Sequence, residues 1–237
     1  MIPLHLPQGY YTGTGTVLLR RDSAKEGQSV LIFMRELGPR WITAPRANAK
    51  NRFGGATEPL TWARYSLYQS PSRLYLQEAE VKEDFITLRR SGSSLLCAAR
   101  LYKLTSREAP AACENDALLR ALWNAMVQLK EGCPADTVEF RYVWKFLNTM
   151  GLAPSYAICV SCGARISGSA AAGKEGVFCA SCAGEGLPKM SAKELYELRA
   201  AAGLPHDKFL AWSKGLERSD NFIRNIKLLS SYFANMR

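Results

Sequence analysis

Two Cys-x2-Cys pairs, Cys159 with Cys162 and Cys179 with Cys182, flank sixteen residues in the stretch CVSCGARISGSAAAGKEGVFCASC. Each pair forms a tight knuckle, and two knuckles turned toward one point offer four soft thiolates in the tetrahedral arrangement that zinc prefers. The spacing thus dictates a local fold. The residues between the pairs include Gly163, Gly168, Gly173 and Gly176 and few large apolar side chains, so metal binding is expected to supply the local folding energy. His5 and His206 are the only histidines and both lie outside the segment, which predicts a saturated, structural site rather than a catalytic one with an open position. Four reduced cysteines without metal, a Cys-x2-Cys redox pair and an iron-sulfur cluster remain the alternatives.

The chain has seven cysteines, an odd count, and opens on MIPLHLPQGYYTGTG without a secretory leader. A reducing compartment is expected, and with no apolar run approaching membrane-spanning length the expectation is a cytoplasmic protein with no membrane partner. Its formal charge of +10 favours a polyanionic partner over an acidic protein or a neutral sugar. One interval concentrates that charge: no acidic residue occurs between Glu36 and Glu58, whereas Arg40, Arg46, Lys50 and Arg52 all do.

Residues 12–80 carry five short β-branched or apolar runs separated by turn-like segments, among them DSAKEGQ and Ser70-Pro71. Five strands without βα alternation predict a small closed or nearly closed sheet. After Val81 the period changes. KEDFITLRR, with acids at its start, and SSLLCAARLYKLTSREAP read as helical, and Leu118, Leu122, Met126 and Leu129 form the stripe of the clearest helix. TVEFRYVWKFLNTMG is another, stopped at Gly151. Beyond the cysteines, Ser191 followed by Glu194 predicts a capping box, and Phe222, Ile226, Leu229 and Phe233 mark a last helix. The domains expected are therefore 1–80 and a helical domain 81–237, with the cysteine segment 156–183 inserted in it.

GPRWITAPRANAKNRFGG interleaves its cations with Trp41 and Phe53, a composition suited to phosphate contact beside base stacking. Trp41 could equally serve as core, and loop arginines are commonly just solvated. GTGT at 13–16 lacks the spacing of a dinucleotide-binding loop, and no Walker-type GKS or GKT occurs. Asp207 beside His206 and the strand pair Glu78 and Glu80 lack the partners that acid-base catalysis needs, so a binding protein rather than an enzyme is expected. Cys97, Cys113 and Cys133 are expected to be packed apolar residues.

The pieces GTVLLRR, ITAPRANAKNRFGGATEPL, LQEAEVKEDF and FRYVWKFLNTMGLAPSYAICVSCG running into VFCASC occur in the order found in the bacterial RecO family of recombination and repair mediators, which the chain resembles along nearly its whole length. The resemblance implies an α+β protein: an N-terminal five-stranded OB-fold barrel that binds nucleic acid, then an all-helical domain interrupted by a four-cysteine zinc segment. It implies binding of single- and double-stranded DNA, strand annealing, contact with the C-terminal tail of single-stranded DNA-binding protein, and joint action with RecR in loading RecA onto coated strands. It further implies no catalysis, structural zinc held by Cys159, Cys162, Cys179 and Cys182, and a DNA-binding face that includes Arg40, Arg46, Lys50 and Arg52. A bacterial cytoplasmic, nucleoid-associated location would follow. The segments DSAKEGQ and RANAKN depart from the family pattern, which bears on the DNA footprint more than on the fold. The rival expectation is a zinc-stabilised protein-interaction scaffold whose sheet never touches DNA.

Overall fold

The computed structural model describes residues 5–23, 27–45, 52–173, 175–216 and 220–234. By internal contacts the chain divides into two compact units, Met1–Trp123 and Asn124–Arg237.

The first unit begins with five strands: β1 (Gly9–Ser23), β2 (Gly27–Met34), β3 (Gly38–Ala44), β4 (Trp62–Gln69) and β5 (Leu74–Glu83). The long strand β1 serves two partners. Gly9 to Thr16 pair with β4 and Gly15 to Ser23 with β2, both antiparallel, so Gly15 lies where the strand passes from one neighbour to the other. A Cβ at Gly15 would lie 2.2 Å from the Phe33 carbonyl oxygen, which explains the glycine of the GTGT run by close backbone approach rather than by a ligand. Alternate residues of the strands, among them Val30, Ile32, Ile42, Tyr65, Leu67 and Leu76, are buried in one apolar cluster. The Tyr65 hydroxyl donates to the Ala56 carbonyl at 3.0 Å, so this buried ring keeps its polar end satisfied.

A 3-10 turn, Ile86–Arg90, and helix α1 (Gly92–Glu108) follow, then helix α2 (Asp116–Lys130), which the division at Trp123 splits. The sequence places helix at KEDFITLRR, but β5 runs to Glu83 and Phe85 takes a left-handed φ of 49°, so only one tight turn forms before the Ser91 cap of α1. Buried Thr16 ties α1 to the sheet: its hydroxyl shares a 2.7 Å hydrogen bond with the Tyr102 hydroxyl and lies 2.9 Å from the Thr61 carbonyl.

The five strands form a closed barrel in the order β1-β2-β3-β5-β4, and its β3–β5 joint rests on one parallel pair, Thr43 with Tyr75. Part of the edge of β3 is used elsewhere, since the Pro39 carbonyl accepts from the Ala112 amide at 2.8 Å. One part of the expected fold class is corrected. The second half is not all-helical. Besides α3 (Ala135–Thr149), α4 (Ala192–Gly203), α5 (His206–Ser213) and α6 (Asp220–Ala234), it contains a three-stranded sheet of β6 (Ala170–Gly173), β7 (Gly176–Cys179) and β8 (Lys189–Met190). Ala170, Ala171 and Ala172 are buried, so small side chains allow a hairpin where the sequence promises only a glycine-rich excursion.

The second unit packs α3 against α6 and α4. Phe140 meets Phe222 at 5.5 Å between ring centroids, and Phe146 meets Phe233 at 5.1 Å. Arg141 is buried beneath α4 and donates to the Ala201 carbonyl at 2.5 Å and the Leu204 carbonyl at 2.7 Å, supplying donors to carbonyls that the helix end leaves open. Burial pulls the pKa of this guanidinium down to about 10. The capping box at Ser191 and Glu194 forms as the sequence predicts.

Candidate metal centre and nucleic-acid interface

The Sγ atoms of Cys159, Cys162, Cys179 and Cys182 all lie within 4.8 Å of one another, and those of Cys162 and Cys179 are 3.9 Å apart. A tetrahedron with metal–sulfur bonds of about 2.3 Å has edges of about 3.8 Å, so the four sulfurs fit a single ion after little contraction. Local backbone bonds create this convergence. The first knuckle closes through the Gly163 amide donating to the Cys159 carbonyl at 3.0 Å, with Gly163 at φ +70°, and the second through the Cys182 amide donating to the Cys179 carbonyl at 3.0 Å. Strand β7 ends on Cys179 and carries it across the gap, where its amide donates to Cys159 Sγ at 3.3 Å.

These amides shape the acidity of the group. The Cys179 amide, then that of Cys162, favours the thiolate of Cys159 and lowers its pKa to about 6. Cys182 is pushed up to about 12 by its hydrogen bonds with the Cys179 and Cys162 sulfurs. Four thiolates at this separation repel one another unless a cation lies among them. Cys159 is buried and Cys162 exposed, while Cys97, Cys113 and Cys133 are buried elsewhere, as expected for packed thiols. The cluster is thus capable of coordinating a metal ion.

The basic segment divides differently. Arg46 and Lys50 lie outside the described residues. Arg52 donates to the Pro45 carbonyl at 3.2 Å and lies over the ring of buried Phe53, 5.0 Å from its centroid. Arg40 is half-buried in the first unit and donates to the Leu37 carbonyl at 3.1 Å, while its Nη2 reaches the Ala112 carbonyl at 3.5 Å. Burial lowers the pKa of this guanidinium, an effect that Cys113 and Tyr11 oppose. Arg40 is therefore held in place by the fold.

Around Arg40 the structure assembles residues that no single segment brings together. A groove of about 550 Å³ is lined by Arg40, Trp41 and Thr43 of β3, by Arg73 of the β4–β5 turn, and by Ser106 and Ala112 near the end of α1. Trp41 is 40% exposed, with the Arg21 guanidinium 4.4 Å from the ring centroid. The first unit carries a second exposed ring, Tyr10, 5.0 Å from Tyr68. Sequence reasoning left Trp41 undecided and passed over Arg73 and Arg21. Only the exposed parity of the β3 register could have pointed to Trp41.

The model of the family described as "Recombination protein O C terminal" matches residues 89–222, more than half of the chain. The chain belongs to the RecO family. It is similar to the proteins named DNA repair protein RecO from Bacillus pumilus, 27% identical over 150 residues, and from Exiguobacterium, 27% identical over 151. Each match covers 63% of this chain, and the chain spans only 59% and 61% of those relatives' lengths. The RecO protein of Alkaliphilus metalliredigens is 27% identical over 174 residues, 72% of this chain and 71% of the relative. Among the described residues no helix is long and apolar enough to cross a membrane.

Proposed function

We propose that the chain is a non-enzymatic recombination mediator, and RecO-family membership across residues 89–222 is the observation that carries the reading. In this reading it binds single- and double-stranded DNA, promotes annealing, and acts with RecR to load RecA on strands coated by single-stranded DNA-binding protein. The tail of that coating protein would dock on the helical part, and the location would be the bacterial cytoplasm. The first unit would meet the phosphate backbone with Arg40, Arg46, Lys50 and Arg52. Its net positive charge supports such a role, because phosphate contacts supply sequence-independent affinity.

The metal in this reading is zinc, held by Cys159, Cys162, Cys179 and Cys182. Four sulfur ligands leave no open coordination position, so the ion would stabilise the hairpin β6–β7 and the knuckles rather than act on a substrate. Elemental analysis of protein purified without added metal should give one zinc per chain; a metal-free, fully folded protein would remove the assignment.

The function is tested by annealing complementary strands with wild type and with Arg46→Glu/Lys50→Glu, in the presence and absence of single-stranded DNA-binding protein. Wild type should accelerate annealing, and the double reversal should weaken binding of unrelated DNA sequences alike and lower the salt slope. Equal affinities at low salt would reject the role of Arg46 and Lys50. Wild type that neither binds nor anneals DNA would instead favour the scaffold without DNA contact.

A further inference from the structure

We infer that the groove beside Trp41 is a subsite for one unstacked nucleotide of single-stranded nucleic acid, its base against the indole and its phosphate toward Arg73 and Arg40. The inference deepens the DNA-binding reading and rests on it.

The groove exists because the sheet is poorly laddered at one joint. β3 and β5 share only the Thr43–Tyr75 pair, and the concavity is lined from the β3 side by Arg40, Trp41 and Thr43 and from the β5 side by Leu74. Its far wall is fixed by backbone contact. Gly38 has a φ of +69°, and a Cβ there would fall 2.0 Å from the Cys113 carbonyl oxygen, so only glycine allows the segment after α1 to reach β3 and bond Pro39 through Ala112. Arg73 is placed by an equally specific turn. The Ser70 hydroxyl accepts from the Arg73 amide at 3.0 Å and from the Ser72 amide at 3.3 Å, and donates to the Arg73 carbonyl at 2.9 Å.

Size, charge and surface chemistry select the occupant. A volume of about 550 Å³ suits a small polar-aromatic ligand, within the usual range of about 300–1,000 Å³. Two arginines and no carboxylate are found among the described residues that line it, so the site is built for an anion. An indole flanked by guanidinium, in a groove also lined by Leu31, Pro39 and Leu74, favours a flat ring over an aliphatic chain. Arg21 covers the Trp41 ring but does not line the groove, which backs the platform with a cation–π contact while leaving the rest of the indole to the ligand. Arg40 is prepositioned by the Leu37 and Ala112 carbonyls, so ordering it on binding costs little entropy. A concavity that takes a base out of its stack excludes paired bases, and the subsite therefore prefers single strands.

The test uses the full chain, a fluorescently labelled oligothymidylate, and the same strand with abasic residues. Wild type should lose on the order of tenfold in affinity for the abasic strand. Trp41→Ala should lose a similar factor on the thymidylate and show no further loss on the abasic strand, whereas Trp41→Phe retains most of the affinity. Arg73→Gln should lower the slope of log affinity against log salt by about 0.7, the share of one phosphate contact on a single strand, while Trp41→Ala leaves that slope unchanged. Circular dichroism of each variant reports that the sheet is intact. If wild type binds with a clear salt slope but Trp41→Ala matches it on both strands, the base subsite is wrong and the DNA reading stands. If wild type shows no salt-dependent affinity for either strand, the DNA reading falls and takes the subsite with it.

Discussion

The cysteine cluster and the Trp41 groove bring side chains together in opposite ways. Four ligands between Cys159 and Cys182 are gathered by two knuckles and one hairpin, whose hydrogen bonds nearly all lie within that stretch. Trp41, Arg73 and Ala112 reach the groove from three different elements, through one strained glycine, one serine turn and a nearly unpaired strand joint. A site made by local closure survives wherever its segment folds. A site made by distant walls depends on every contact that holds them apart.

The largest expected effect breaks the local site alone. Cys162→Ser should reduce bound metal from one ion per chain to none and expose the amides of roughly residues 156–190 to hydrogen exchange, because structural metal binding is also folding free energy. The amides of β1 to β5 should stay protected. Loss of protection in both places would contradict the independence of the two sites.

Gly38→Ala should break the groove while sparing the metal. The new Cβ would meet the Cys113 carbonyl and oblige an L-residue to hold φ +69°, a combined cost of about 2–4 kcal/mol. Chemical denaturation followed through the first unit should show that loss, and metal content should remain at one per chain. Little change in stability would mean that the segment after α1 is not a fixed wall.

Smaller again is Glu194→Gln, at about 1 kcal/mol near neutral pH. Burial raises the Glu194 pKa, but the Ser191 amide and hydroxyl together with Arg224 outweigh it, and the net shift is downward. A lowered folded-state pKa contributes stability that is fully present above the ordinary carboxylate value and is lost as pH falls through the folded one. The gap between wild type and Glu194→Gln should therefore close on acidification below pH 4.5, measured by urea denaturation. A gap independent of pH would show that the carboxylate charge has no part in the cap.

Ser70→Ala sharpens the comparison with the least effect, about 0.5–1 kcal/mol. It should loosen the β4–β5 turn and weaken oligothymidylate binding modestly through Arg73, with neither metal content nor the protection of the cysteine segment altered. Unchanged DNA affinity would show that the turn does not position Arg73.

Helices α2, α3, α4 and α6 were legible because each buries a stripe of period near 3.6 and ends at a recognisable signal, such as Gly132 or the Ser191 box. The five strands of the first unit were legible too. What escaped were pairings that depend on backbone contact across the chain: the single-pair joint of β3 with β5, and an alanine hairpin whose buried residues carry almost no hydrophobic pattern. KEDFITLRR misled because acids before an apolar run signal a helix start, whereas here Lys82 and Glu83 finish a strand and Phe85 turns the chain.

By itself, the sequence determined the four-cysteine centre, since knuckle spacing sets sulfur positions through a few local bonds. It also determined the helices and the net positive charge. Only the tertiary structure decided that Arg40 is anchored, that Trp41 faces outward beneath Arg21, and that Arg73 joins them. Those outcomes depend on strand register and on the approach of Gly38 to Cys113, both of which are set by packing between residues far apart in the chain.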